Sequence, residues 1–258
     1  MYGFSVLLHG VTGSFREPGS HLYQATLPLP PVSAVVGMAG AALGKSFEDA
    51  WRFATDSKLC VGVSGTSKGR GIDLWNYRKV ADAKGEDEKA QKNRYNLSKI
   101  ARRDIVNREF LADLTVTVFY AAQDKDKVEV LHQAFEDPVY ALSLGSSDDI
   151  VIIRKVSGVC TVEAVDVCSS FSDTYVAGDH ADSVCFDWDA LKRTSVMQTL
   201  KAPLVRPFIV DFEFDGTARH GTRLQPFTFL SGPQRLTQPQ TAFRFAGSET
   251  PVPLYEVA

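Results

Sequence analysis

The chain has 258 residues, 44% of them apolar, 23% charged and 10% aromatic, enough apolar material for one large domain or a smaller domain with an elaborated second half. That composition excludes collagen, coiled coil and disorder. With 28 Lys and Arg against 31 Asp and Glu, a net charge of -3 and a pI of about 6.0, it also argues against a generally basic nucleic-acid-binding protein.

No apolar run approaches the roughly 20 residues that span a bilayer, and the opening MYGFSVLLHG has no basic n-region or cleavage pattern. The expectation is a soluble, cytoplasmic protein with no membrane partner. Tyr2, Phe4, Val6 and Leu8 alternate along a first strand, and Gly10 and Gly13 read as a glycine-rich turn after it. Prolines at 28, 30 and 31 precede a run of small apolar residues, which predicts a buried helix from Pro31 or Val32. Gly37, Gly40 and Gly44 cost helix propensity, so they are expected to pack that helix closely on a sheet. KLCVGVSG (58–65) reads as a strand, and DLTVTVFYAA (113–122) is the clearest strand in the chain. Val128, Leu131 and Phe135 then recur at helical spacing up to Pro138, and IVIIRKV (150–156) supplies a further strand. This order is that of a split βαβ, ferredoxin-like unit, the RRM-like arrangement. The expected fold class is therefore α+β: a ferredoxin-like domain over 1–157, carrying a long basic thumb hairpin at 66–112, with a β-rich region of short strands over 158–258 packed on it.

The segment Lys68–Arg108 differs in kind. It holds 12 Lys and Arg against 6 Asp and Glu, a local charge of +6 that leaves -9 for the rest of the chain. Its middle, ADAKGEDEKAQKN (81–93), is polar and reads as a mobile tip. Trp75, Tyr77 and Arg78, then Arg94, then Arg102, Arg103 and Arg108 interleave rings with cations. Cations neutralise phosphates while rings stack unpaired bases, the combination that single-stranded RNA needs. GTSKGRG (65–71) reads either as a backbone clamp using Lys68 and Arg70 or as a plain strand-to-hairpin turn.

Little supports nucleophilic or metal chemistry. GxSxG, HExxH, GxxxxGK[ST] and helix-opening GxGxxG are all absent. Cys60, Cys160, Cys168 and Cys185 make no zinc pattern and read as reduced, mostly buried thiols. His132 reads as structural, and His220, between Arg219 and Arg223, as part of a polar or RNA-facing loop. No metal and no cofactor is expected.

Three patterns in chain order resemble one family. GVTGSFREPGSHLYQATLPLPPVSAVVGMAGAALG (10–44), ARRDIVNREFLADLTVTVFY (101–120) and PVYALSLGSSDDIVIIRKV (138–156) resemble segments of the Cas-five proteins of CRISPR effector complexes, nearest to type I-B in style. The resemblance implies a non-catalytic subunit of a type I (Cascade) complex that caps the 5′ handle of the CRISPR RNA. Its partners would be that RNA, the backbone subunit reached by the thumb, and the large subunit, with target DNA nearby. It places Arg16 and the Gly10–Gly13 turn at the handle. The alternative is a metal-independent endoribonuclease processing precursor CRISPR RNA, for which His21, Tyr23, Lys45 and His220 are the candidates.

Overall fold

The computed structural model describes residues 1–20, 23–80, 101–193, 201–216, 218–248 and 250–258. The segment 81–93 expected as a mobile tip lies outside the described residues, as do Arg94 and His21. Strand β1 spans Tyr2–Gly13 and β2 Tyr23–Gln24. Helices α1 (Val32–Leu43) and α2 (Phe47–Asp56) follow, then β3 (Cys60–Val80) and β4 (Ala101–Ala122). Next come α3 (Lys125–Glu136), β5 (Val151–Val156) and β6 (Cys160–Ala177). A 3-10 turn at Ala181–Ser183 leads to β7 (Val184–Phe186) and α4 (Trp188–Arg193). The chain ends with β8 (Leu204–Asp215), β9 (Ala218–Phe245) and β10 (Tyr255–Glu256).

All these strands join one sheet, antiparallel at every pairing except the short β2–β4 contact. Phe4, Val6 and Leu8 of β1 face Tyr120, Val118 and Val116 of β4, and Val61 and Val63 of β3 continue the row. All of these side chains are buried. This apolar face takes α1 and α3, whose Val32, Val35, Val36, Val128, Leu131 and Phe135 share its core. The alternation read from the sequence thus marks the core face. Within the first 156 residues the strand order is β3–β4–β1–β5. The C-terminal strands enter the same sheet: Thr161 pairs with Tyr2, Thr174 with Ser64, and Tyr255 with Val61. Phe208, Val210, Phe227 and Phe229 join the main core.

Several expectations need correction. The Gly10–Gly13 stretch is not a turn, because β1 continues through Gly13, paired with Leu111. Ser67 to Gly71 is likewise strand interior, paired with Leu114 to Phe110, so GTSKGRG is not a turn. The helical glycines meet a second helix rather than the sheet: a Cβ on Gly40 would lie 2.6 Å from that of Ala50 on α2. That helix arises because Gly44 closes α1 in the left-handed region (φ 68) and Ser46 caps α2, accepting from Asp49 N at 3.1 Å. The C-terminal runs are not short, since FIVDFEFD lies within β8, and QPFTFLSG and AFRF are parts of β9, which bends through bulges against β6 and β8. His220 therefore sits in a strand, opposite Glu213, and not in a loop. Cys60 and Cys168 are buried, but Cys185 is exposed.

Two buried tyrosines differ in their hydroxyls. Tyr120, between Phe4 and Phe135, donates to Val35 O at 2.9 Å. Tyr175 packs its ring against Phe208, Phe227 and Phe229, yet its hydroxyl has no hydrogen-bond partner among the described residues, and burial pushes its phenol far up. A buried unpaired hydroxyl costs its desolvation. Tyr175→Phe is expected to stabilise the chain by about 1 kcal/mol, read as a higher urea midpoint at unchanged slope.

Candidate nucleic-acid interface

The β3–β4 hairpin pairs without a break from Gly69↔Ala112 to Val80↔Ala101. Directly opposite residues share a face, so the pairing sorts the predicted site residues. Trp75 and Arg108 lie on one face with Asp73; Arg70 lies on the other with Ile72, Leu74 and Ile105. Farther out, Arg78 opposes Arg103 and Lys79 opposes Arg102; the side chains of Tyr77, Arg78, Lys79, Arg102 and Arg103 are outside the described residues.

A cleft of about 740 Å³ lies between the hairpin and one side of α1. Arg16, Trp75, Arg108 and Arg219 line it together, although they come from four separate stretches of sequence. Pro31, which has no side chain able to cap, begins α1 at the cleft wall. Arg16 is exposed and rests its Nε and Nη2 on Ser20 O at 3.1 and 2.8 Å. Arg219, from β9, stacks over Phe47 at 4.2 Å, at the edge of an aromatic group formed with Trp51 and Phe212.

Arg108 is 7% exposed. Its Nη1 and Nη2 donate to Asp148 Oδ1 and Oδ2 at 3.3 and 3.1 Å, Nη2 donates also to Asp73 Oδ2 at 3.0 Å, and its guanidinium lies 4.3 Å over the Trp75 ring. Burial works against the Arg108 charge, but the two carboxylates outweigh it and hold the group firmly protonated. The Asp148 carboxyl is held down to about 2, first by Arg108 and then by Ser146. The sequence reading missed Asp73 and Asp148, because neither belongs to a motif and only the pairing brings them to Arg108.

The segment carrying Asp148 is pinned by its neighbour. Asp149, buried, accepts from Thr12 and Ser14 hydroxyls at 2.5 Å each. Leu144 N donates to Asp149 O at 2.8 Å, Ser14 N donates to Leu144 O at 2.9 Å, and Gly145 has φ 103. These bonds give the LGSSDD pattern a physical basis: Gly145 turns the chain, Asp149 fastens it to β1, and Asp148 meets Arg108.

The other candidates sit elsewhere. Lys68 is 82% exposed and pairs with Asp113, whose φ of 49 is unusual for a non-glycine; His9 Nδ1 lies 3.7 Å from the same carboxylate. Lys68 borders a second depression, of about 410 Å³. Arg70 reaches Glu109 at 3.4 Å, and Tyr23 donates its hydroxyl to Glu109 at 2.6 Å. That bond raises the Tyr23 phenol. Burial pushes Glu109 up, but Tyr23, Thr26 N and Arg70 together bring it below the ordinary range. His220 and Arg223 are exposed on β9, and neither lines the cleft. Among the described residues no group of three His, Cys, Asp or Glu is placed to hold a metal ion, and no helix is long and apolar enough to cross a membrane.

The family described as CRISPR-associated protein (Cas_Cas5) matches residues 6–208. The chain belongs to the Cas5 family. Among solved structures, a CRISPR protein from Archaeoglobus fulgidus is similar over 98% of this chain and 99% of its own, at 15% identity and a TM-score of 0.52. That likeness shows the fold. A Cas protein crystal structure matches at 24% identity over 57% of this Cas5 chain and 58% of its own, with a TM-score of 0.36. A chain of a CRISPR RNA-guided surveillance complex matches at 17% identity over 91% and 90%, with a TM-score of 0.48. No curated protein matches.

Proposed function

We propose that this Cas5 chain is the non-catalytic subunit of a type I (Cascade) effector complex that caps the 5′ handle of the CRISPR RNA. The observation that carries this reading is the hairpin register, which brings Arg78, Lys79, Arg102 and Arg103 together in two adjacent pairs toward its outer end. Four cations within two adjacent pairs concentrate positive charge at the outer end of the thumb, which attracts a polyanion. The cleft adds Arg16 and Arg219 at the base, where a bent single strand would leave the hairpin. The strand order β3–β4–β1–β5 supports a ferredoxin-like unit over 1–157 with a thumb at 66–112, and 158–258 as the β-rich region added to it.

Nearer the base, the thumb face opposite Trp75 and Arg108 suits a protein partner. Ile72, Leu74 and Ile105 are 62%, 69% and 64% exposed there, an apolar group fit for the backbone subunit. The large subunit docks beside the chain and brings target DNA near it. The engagement of Tyr23 with Glu109 supports a role without RNA cleavage.

The deciding experiment purifies the chain with the proteins encoded beside it and sequences the bound RNA. A common repeat-derived 5′ end is the expected result; random fragments would sink the capping role. Arg102→Glu with Arg103→Glu should lower the salt dependence of binding by about 0.7 in slope for each phosphate that the variant no longer neutralises. Repeat RNA incubated with the chain in chelator should stay intact. A 2′,3′-cyclic phosphate product, abolished in His21→Ala or His220→Ala, would establish the endoribonuclease instead.

A further inference from the structure

A guanidinium offers an oxyanion two bidentate edges. In Arg108 the end-on edge is filled by Asp148, whereas the side-on edge is half filled: Nη2 reaches Asp73 Oδ2, but Arg108 Nε and Asp73 Oδ1 are both buried with no hydrogen-bond partner among the described residues. A partly satisfied buried network is costly. We propose that Asp148 is an exchangeable counter-ion, and that a phosphodiester of single-stranded RNA entering the cleft takes its place on Arg108. This inference rests on the RNA-binding reading above.

The geometry favours Asp148 as the group that leaves. Its side chain is 51% exposed, so its release into water uncovers little new charge. The loop does not depend on it, because Asp149 supplies the bonds to Thr12 and Ser14. A phosphodiester carries the same single negative charge and accepts the same fork, so Arg108 stays neutralised throughout. The released carboxylate is solvated by water. RNA binding at Arg108 therefore carries the cost of releasing Asp148, which keeps the arginine from holding other anions in the absence of RNA.

The test uses the full chain and a fluorescein-labelled oligouridylate. Asp148→Asn retains an acceptor for Ser146 and removes the charge. It should tighten binding several-fold at low salt, because the competing carboxylate is gone. Adding Arg108→Gln should cancel that gain; an unchanged affinity in Asp148→Asn, or a gain that survives Arg108→Gln, overturns the exchange. Because Arg108→Gln can unfold the chain, a second measurement follows the Arg108 Nε–H resonance of the unaltered protein as the RNA is added. A shift there is expected. Shifts confined to other arginines overturn the exchange and leave RNA binding standing; no shift at any arginine, with no measurable affinity, overturns both.

Discussion

Replacing Arg108 with Glu is expected to destabilise the chain by about 3 kcal/mol or more, because it sets a third carboxylate between Asp73 and Asp148 at a position with little access to water. Removing one partner of a buried pair leaves the others uncompensated, and here the substitute also repels them. The pH dependence identifies the cause. The Asp148 carboxyl, held at about 2 by Arg108, lies below its unfolded value of about 4. Its pairing therefore contributes stability above about pH 4, and that contribution is lost as pH falls through about 2. In Arg108→Glu the clustered carboxylates are relieved by protonation, so the gap between variant and parent should narrow as pH falls from about 6 to about 3. Urea midpoints across that range measure it. A gap independent of pH would show that the loss is one of packing. Charge reversal at Arg108 is accordingly a poor probe of RNA binding, unlike reversal at Arg102 and Arg103.

Gly145→Ala should cost a similar amount, about 3 kcal/mol. The residue sits at φ 103, where a side chain is strained, and a Cβ would collide with the backbone carbonyl oxygen of Ser14. That oxygen belongs to the strand end which Asp149 grips, so relief by backbone movement breaks the bonds from Thr12 and Ser14 as well. Gly69→Ala is the control: nothing lies within 4 Å of its added carbon, and its effect should stay within about 0.5 kcal/mol. Thermal unfolding of the two variants side by side checks the contrast. A mild Gly145→Ala would mean that the clip adapts.

The core strands were legible because burial on one face enforces a period of two: Phe4, Val6 and Leu8 and their partners Val116, Val118 and Tyr120 announce themselves. Helix α2 was not, since its N-terminus depends on the Ser46 cap and its burial on aromatic contacts to Phe212, far along the chain. The long C-terminal strands look fragmented in the sequence because bulges reset the alternation around Cys168 and Ser172. Lys68, Arg70 and Arg108 could be found from charge segregation, whereas Arg16 and Arg219 lie outside the basic segment. The sorting of the first three could not be found there: whether Arg70, Arg108 or Lys68 faces an open cleft or a carboxylate follows from pairing with residues such as Glu109, Asp148 and Asp113.

Beyond Leu74 and Asn107, among the described residues, the two long strands pair only with each other, from Trp75↔Val106 to Val80↔Ala101. At about 3.3 Å per residue this extension is roughly 17 Å long, about two Debye lengths of ~8 Å at physiological ionic strength. Its far end is thus electrically insulated from the trunk. An approaching polyanion meets a local field of the opposite sign to the molecule's average, and the acidic trunk does not weaken the first encounter. Once landed, the same polymer is repelled where it strays over the acidic trunk beyond the cleft, so the net charge that argued against nucleic acid works as a means of confining it to one track.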